Sequence, residues 1–338
     1  MERIRVALDA MGGDHGPAVT VAGAVAASRQ LADVDVILVG DEVALQAQLA
    51  QTGASLRVVH APTVVAMDEA PANAVRSRRD NSMSVACRLV RQGEADAFVT
   101  AGNTGAALAA ALFDIGRIHG IRRPALGVAL PSLTGQYLLL DIGANVDCRP
   151  QDLLQFGLMG HVYASRVLGV ASPRLGLISN GEEAGKGNDL VQEAFALLQD
   201  SGLNFVGNVE GKDLPNDHVD VAITDGFTGN VLLKTAEGIA NLILETIKRS
   251  AKSSLRARAG GLLLRPALRQ AMARLDYTEV GGAPLLGIDG VALVGHGRSN
   301  ERAMVSLIRA SVHCARQGLP RAIADGLKEL TLKEDQTA

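Results

Sequence analysis

Short apolar runs alternate with longer stretches of helical period along nearly the whole chain. The runs predict strands at 4–8, 34–39, 56–60, 97–100, 125–130, 137–140, 174–178, 204–206, 219–223 and 291–294. The stretches between them predict helices at 18–31, 42–51, 84–92, 105–115, 152–167, 190–200, 229–250 and 301–317. The strand runs are continuously apolar rather than alternating, which suits a sheet covered on both faces. Strand and helix in regular succession predict an α/β fold with a doubly wound, mostly parallel sheet. We expect one α/β domain over 1–332 and a short disordered polar tail over 333–338, with no internal repeat.

One segment breaks this rhythm. Between Glu245 and Asp276 there is no acidic residue, while Lys248, Arg249, Lys252, Arg256, Arg258, Arg265, Arg269 and Arg274 give it a local charge of +8 in a chain whose net charge is −3. Leu264, Leu268, Ala271 and Leu275 share a helical face flanked by Arg265, Arg269 and Arg274. The pattern predicts a basic amphipathic segment over about 246–276. Such a face suits an anionic lipid surface or an acidic protein.

Composition removes several function classes. Aromatic residues make up 3 % of the chain and Trp is absent, so stacking platforms for single-stranded nucleic acid are scarce. No partnership with nucleic acid is expected. Cys87, Cys148 and Cys314 are odd in number and far apart, which argues against a disulfide framework and fits a reducing compartment. The first residues run straight into a strand without the pattern of a signal peptide, and no apolar run is long enough to span a bilayer. A cytoplasmic location follows as an expectation.

In doubly wound sheets, ligands bind outside the carboxyl ends of the strands. Six of the predicted strands end in loops rich in Gly, Asn and Asp: 9–17, 101–105, 141–147, 179–187, 224–230 and 295–300. Glycine lets backbone N–H groups approach an anion, and each loop feeds a helix amino terminus. Together the loops predict an anion-binding site at one sheet edge. Gly181–Gly187 resembles a phosphate loop but has three spacers between Gly181 and Gly185, and Gly187 stands where Ser or Thr would bind Mg²⁺. Gly295–Asn300 resembles a dinucleotide fingerprint with Asn300 in place of its third glycine. Phosphate without a nucleotide is the reading that remains. The histidines lack metal-ligand spacing, and no nucleophile elbow is present.

The loops as a set resemble a known family. Asp9-Ala-Met-Gly-Gly-Asp14, Thr100-Ala-Gly-Asn-Thr-Gly105, Asp141-Ile-Gly-Ala-Asn-Val-Asp147, Ser179-Asn-Gly-Glu182 with Lys186-Gly187, Asp225-Gly-Phe-Thr-Gly-Asn-Val-Leu-Leu-Lys234, and Tyr277 followed by Gly281-Gly-Ala-Pro-Leu-Leu-Gly287 match the bacterial acyl-ACP:phosphate acyltransferases, the PlsX family. Arg298 departs from the Ser expected there. The resemblance implies a Rossmann-like fold similar to phosphotransacetylases and isopropylmalate dehydrogenases, with a projecting helical hairpin. It implies transfer of a long-chain acyl group from acyl carrier protein to inorganic phosphate, with no cofactor and no metal. It further implies a cytoplasmic homodimer that associates peripherally with the membrane and hands acyl phosphate to a glycerol-3-phosphate acyltransferase.

On that basis Lys186 is expected to hold phosphate and act in catalysis, with Gly12, Gly13, Asn103, Thr104 and Gly105 as further phosphate contacts. Asn230 and His296 are expected at the acyl carbonyl or the leaving sulfur. Asp9, Asp141, Asn145 and Asp225 are expected to organise loops. Arg256, Arg258, Leu264, Arg265, Leu268 and Arg269 are expected to contact membrane or carrier. The alternative is an NAD-dependent dehydrogenase of the β-decarboxylating type on a related fold.

Overall fold

A computed structural model describes residues 3–275 and 281–337. Tyr277 of the sequence motif lies outside them. Among the described residues, eleven strands form one sheet: β1 (Ile4–Asp9), β2 (Val34–Gly40), β3 (Arg57–His60), β4 (Ala97–Thr100), β5 (Ala125–Pro131), β6 (Gln136–Leu140), β7 (Leu175–Ile178), β8 (Phe205–Val209), β9 (Val221–Ile223), β10 (Ala283–Leu286) and β11 (Val291–Val294). Their order is β3-β2-β1-β4-β11-β10-β5-β6-β9-β7-β8. The helices are α1 (Gly16–Gln30), α2 (Glu42–Thr52), α3 (Pro71–Ser77), α4 (Ser82–Arg91), α5 (Thr104–Ala110), α6 (Pro150–Arg166), α7 (Asp189–Asp200), α8 (Gly226–Lys252), α9 (Leu255–Leu275), α10 (Glu301–Arg316) and α11 (Leu319–Thr337).

The continuously apolar strands have the predicted cause. Val6, Leu8, Val36, Leu38, Leu138 and Leu140 pack into one hydrophobic cluster with α1, α2, α6, α7, α10 and α11. Ala7, Ile37, Val39, Leu139 and Ala222 enter a second cluster on the other face with α4, α5 and the start of α8. Alternate side chains point to opposite faces, so a sheet buried on both sides needs every position apolar.

The sheet is mostly parallel, as expected, but its parallel strands fall into two blocks. β3, β2, β1, β4 and β11 run parallel to one another, and so do β6, β9, β7 and β8. Between these blocks β10 is antiparallel to both β11 and β5, and β5 is antiparallel to β6. The two blocks therefore run in opposite directions. They are also staggered. Leu140, at the carboxyl end of β6, stands opposite Gly127, which continues the β5–β10 register to Pro284, itself opposite Leu293 near the carboxyl end of β11. The carboxyl ends of the two blocks thus face each other across a cleft. The loops do not share one edge of one parallel sheet.

Three elements add to the prediction. β10 was hidden by Pro284, a residue disfavoured in central strands. α3 is a seven-residue helix. α11 runs to Thr337, so it includes most of the tail expected to be disordered. The helix expected over 105–115 is α5 followed by a π turn at Ala111–Ile115. Past Leu233, none of the described positions of α8 is buried. α8 and α9 pack on each other as the expected hairpin.

Candidate active site

Each block ends in a buried aspartate that shapes a glycine loop. Asp141, at the end of β6, is fully buried. Its Oδ1 accepts hydrogen bonds from the backbone N–H groups of Leu126, Gly143 and Ala144 at 3.1, 3.1 and 3.0 Å. Its Oδ2 accepts from the Asn145 backbone at 2.7 Å and from Asn145 Nδ2 at 2.9 Å. Asn145 Nδ2 also donates to the Pro124 carbonyl at 2.8 Å, and the Asn145 carbonyl accepts from Gly226 at 2.7 Å. One carboxylate thus ties together β5, the loop after β6 and the start of α8. Burial holds the Asp141 carboxyl above its ordinary range, against these opposing hydrogen bonds.

Asp9, at the end of β1, plays the matching part. Its Oδ2 accepts from Thr100 Oγ1 at 2.6 Å, and Thr100 Oγ1 in turn accepts from the Gly102 N–H at 2.9 Å. Burial raises this carboxyl too, and hydrogen bonds from Thr100, Ser82, Met11 and Gly12 oppose the shift. Gly12 is required here by space, since a Cβ would stand 2.5 Å from Asp9 Oδ2 and 2.8 Å from the Gly102 nitrogen. Asp225 caps α8 by accepting from the Thr228 backbone at 2.9 Å and Thr228 Oγ1 at 2.7 Å. The geometry of all four, Asp9, Asp141, Asn145 and Asp225, fits loop organisation.

Between the facing strand ends lies a cavity of about 440 Å³. Its polar lining includes Thr104, Gly105, Gly143, Asn230, His296 and Ser299, together with the charged Asp14, Lys234 and Glu237. Its walls are Leu108, Leu126, Val128, Ile142, Leu233 and Leu285. Thr104 and Gly105 are the first residues of α5, and such positions have N–H groups without a partner in their own helix. Asn230 Nδ2 donates to the Ile142 carbonyl at 3.0 Å, holding α8 against the Asp141 loop. His296 Nδ1 accepts from the Arg298 N–H at 3.2 Å. That bond selects the tautomer with the proton on Nε2 in the neutral ring.

Several expected phosphate contacts sit elsewhere. Asn103 spends its oxygen on the α5 cap, accepting from Ala106 at 3.0 Å, and its Nδ2 donates to the Met67 carbonyl at 2.9 Å. It positions the Thr104–Gly105 turn and does not line the cavity. Gly12 and Gly13 pack under the Gly102 loop, also outside the lining. Lys186 is exposed on the loop after β7 and is not among the lining residues. Near that loop, carboxylate oxygens of Glu182, Glu210 and Asp213 lie within 4.8 Å of one another, and Lys212 pairs with Glu210 and Glu182. Lys234, one helical turn beyond Asn230, reads from the sequence as able to point to the same cleft, and it lines the cavity; sequence reasoning did not place Asp14, Glu237 or Ser299 there. Glu237 was detectable by counting the same helical face one step beyond Lys234.

Of the basic segment, Arg256, Arg258, Leu264 and Arg265 are exposed on α9. Leu268 and Arg269 fall within α9, but their side chains lie outside the described set. No helix among the described residues is long and apolar enough to cross a membrane.

Two opposed α/β blocks around a cleft lined by apolar side chains and by the amino terminus of α5 have the form of an α/β enzyme with its site between facing strand ends. The architecture matches a phosphotransacetylase from Streptococcus pyogenes, with a TM-score of 0.62 over 93 % of this chain and 94 % of that one, at 16 % identity. That likeness is one of fold. A family model described as "Fatty acid synthesis protein" matches residues 4–322. The phosphate acyltransferase of Acidobacterium capsulatum is 50 % identical over 318 residues, covering 93 % of this chain and 94 % of the relative. That of Pelotomaculum thermopropionicum is 48 % identical over 332 residues, covering 98 % and 97 %. The chain belongs to this family of phosphate acyltransferases, the family its loops resemble. It is an acyltransferase, and the dehydrogenase alternative is set aside.

Proposed function

We propose that the enzyme transfers a long-chain acyl group from acyl carrier protein to inorganic phosphate, releasing acyl phosphate and the carrier thiol. The observation that carries this reading is the cavity itself. Its lining combines the helix amino terminus at Thr104 and Gly105 and donors suited to an anion with apolar side chains suited to an acyl chain. Phosphate is a nucleophile at neutral pH, so the protein needs no acyl-enzyme intermediate. Its tasks are to strip phosphate of water, align it with the thioester and stabilise the tetrahedral oxyanion. Thr104 and Gly105 hold phosphate, and Asn230 and the Nε2–H of His296 face the carbonyl oxygen or the departing sulfur. A thiol with a pKa of about 8.5 leaves with little assistance.

Lys186 joins as a second cation when its exposed loop swings toward the cleft. Lys186→Ala is then expected to raise the KM for phosphate, and unchanged KM and kcat would remove Lys186 from the site. The exposed apolar side chains Ile239, Leu242, Ile243 and Ile247 recur at helical spacing on α8 and support a homodimer seam. The basic face of α9 supports docking on an anionic membrane or on the acidic carrier, next to the glycerol-3-phosphate acyltransferase that consumes acyl phosphate. Incubating the protein with acyl carrier thioester and phosphate, then trapping acyl phosphate with hydroxylamine, tests the central reading. No phosphate-dependent product would refute it.

A further inference from the structure

Asn230, Lys234 and Glu237 follow one another on α8 at intervals of four and three residues, which places them on one helical face. All three line the cavity. Lys234 is the sole Lys or Arg among the lining residues, so it is the cavity's fixed positive charge among the described residues. Its Nζ pairs with Glu237 Oε2 at 3.0 Å, and the Glu237 side chain is only 17 % exposed against 54 % for Lys234. Lys234 is the one ion-pair partner that Glu237 has among the described groups. The other lining carboxylate, Asp14, sits on the loop after β1.

A largely buried carboxylate beside the only cation is a poor design for binding an arbitrary anion. It neutralises the charge that attracts the ligand and repels any fully ionised oxyanion that reaches Lys234. A helix pair at this spacing adds too little stability to account for the arrangement. The arrangement makes sense if the anion arrives carrying a proton. Hydrogen phosphate has a P–OH that can donate to a carboxylate. Sulfate at neutral pH has none, so it would leave the carboxylate unpaired and repelled.

We propose that Glu237 accepts the proton of the incoming hydrogen phosphate and so serves both as the base of the reaction and as the element that selects phosphate over sulfate. Lys234 releases Glu237 and takes the charge of the phosphate oxygens. As a phosphate oxygen bonds the acyl carbon, the P–OH proton passes to Glu237. The tetrahedral adduct then collapses, the carbon–sulfur bond breaks, and the thiolate recovers that proton. Hydrogen phosphate dianion and thioester thus become acyl phosphate dianion and neutral thiol, with Glu237 returned to its carboxylate and its pair with Lys234. The inference rests on the phosphate acyl-transfer reading above.

The test compares wild type with Glu237→Gln and Glu237→Asp, measuring acyl phosphate formation with sulfate and arsenate as competitors. In the wild type, arsenate, which carries a proton, should compete with phosphate, and sulfate should not. Glu237→Gln should lower kcat about 10²-fold or more, the usual range for a lost general base. The same variant should let sulfate inhibit at least tenfold more strongly relative to the phosphate KM. Glu237→Asp should keep sulfate out and recover part of the rate, which a merely structural role would not predict. Should Glu237→Gln fail to fold, the wild-type competition still decides, because sulfate inhibiting as well as arsenate would overturn the inference. So would a folded Glu237→Gln enzyme with kcat within threefold of wild type and sulfate still excluded. A wild type that forms acyl phosphate but fails these tests overturns this inference alone. A wild type that forms none overturns the acyl-transfer reading with it.

Discussion

Gly229 sits in the first turn of α8, directly over the Asp141 loop. A Cβ there would stand 1.9 Å from the Asp141 carbonyl oxygen and 3.0 Å from both its carbonyl carbon and Thr224 Cγ2. Ordinary contact begins near 3.4 Å, so Gly229→Ala forces helix and loop apart by about 1.5 Å, the shortfall between those two distances. The obstacle is backbone held by five hydrogen bonds to the Asp141 carboxylate, so it cannot rotate away as a side chain would. Overpacking of this kind costs about 1–3 kcal/mol, and the better helix propensity of alanine returns about 0.8–1 kcal/mol. The net loss should be at most about 2 kcal/mol, read as a lower urea midpoint with an unchanged m-value. Activity should suffer more than stability. The displacement separates Asn230 and Lys234 from Gly143, and a misplacement of about 1 Å can cost about 10²-fold in rate. Acyl phosphate formation and urea unfolding of the same preparation provide the check. A variant with wild-type midpoint and kcat within twofold would refute the view that this contact sets the site's geometry.

Asp141→Asn replaces an acceptor of five hydrogen bonds with a group that can accept through only one atom. It should cost about 1–3 kcal/mol for the donors left unpaired and raise the phosphate KM, both measurable on purified protein. Asp220 provides a pH test. Burial pushes its carboxyl up, but hydrogen bonds from the Arg174 side chain and backbone outweigh burial, and the net pKa lies below the ordinary 3.8. A lowered folded-state pKa contributes stability that is present above the ordinary value and is lost as pH falls through the folded one. Asp220→Asn should therefore destabilise at pH 7 and show a smaller further loss below about pH 4 than wild type, by urea unfolding at each pH. Arg256, Arg258 and Arg265 replaced together by Gln should abolish preferential flotation with anionic vesicles over neutral ones, since each basic residue near such a surface contributes about 1 kcal/mol. Equal flotation of the variant and wild type would remove lipid from the partners of this face.

The strands were legible because burial on both faces makes each a continuous apolar run, a pattern that survives without tertiary information. Pro284 hid β10, because a proline in a run usually denies it a central place. The direction of the second block was not legible either. Apolar periodicity reports burial and says nothing of polarity along the sheet. The reversal is made by the β5–β6 hairpin through Ser132–Gly135, together with the insertion of β10. In the site, Asp9, Asp141, Asn145 and Asp225 were readable because an acid at a strand end beside glycines has few other uses. Asn103 reads two ways from sequence. An Asn at a helix start can cap the helix or bind a ligand, and the hydrogen bonds to Ala106 and Met67 show it capping α5. Lys186 lies on an exposed loop outside the cavity lining, a placement that local sequence signals do not report. Lys234 was legible from the helical period counted onward from Asn230, and Glu237 needed only one more step of the same count.

The register between β4 and β11 also dictates an order of events at the ribosome. β4 pairs with β1 on one side and with β11 on the other, yet about 190 residues separate Thr100 from Val291. The helix that follows β11, α10, packs against α1. The first four strands therefore emerge with one edge bare and one face of α1 uncovered. At about 5–20 residues per second, that edge waits roughly 10–40 s for its partner to be made. Phe98 and Val99, wholly enclosed in the finished sheet, belong to a growing chain that offers an apolar strand to any neighbour on the same polysome. The closing segment is thus a latch on the nascent protein, and loss of the last fifth of the chain should leave the first block unfinished rather than merely shorter.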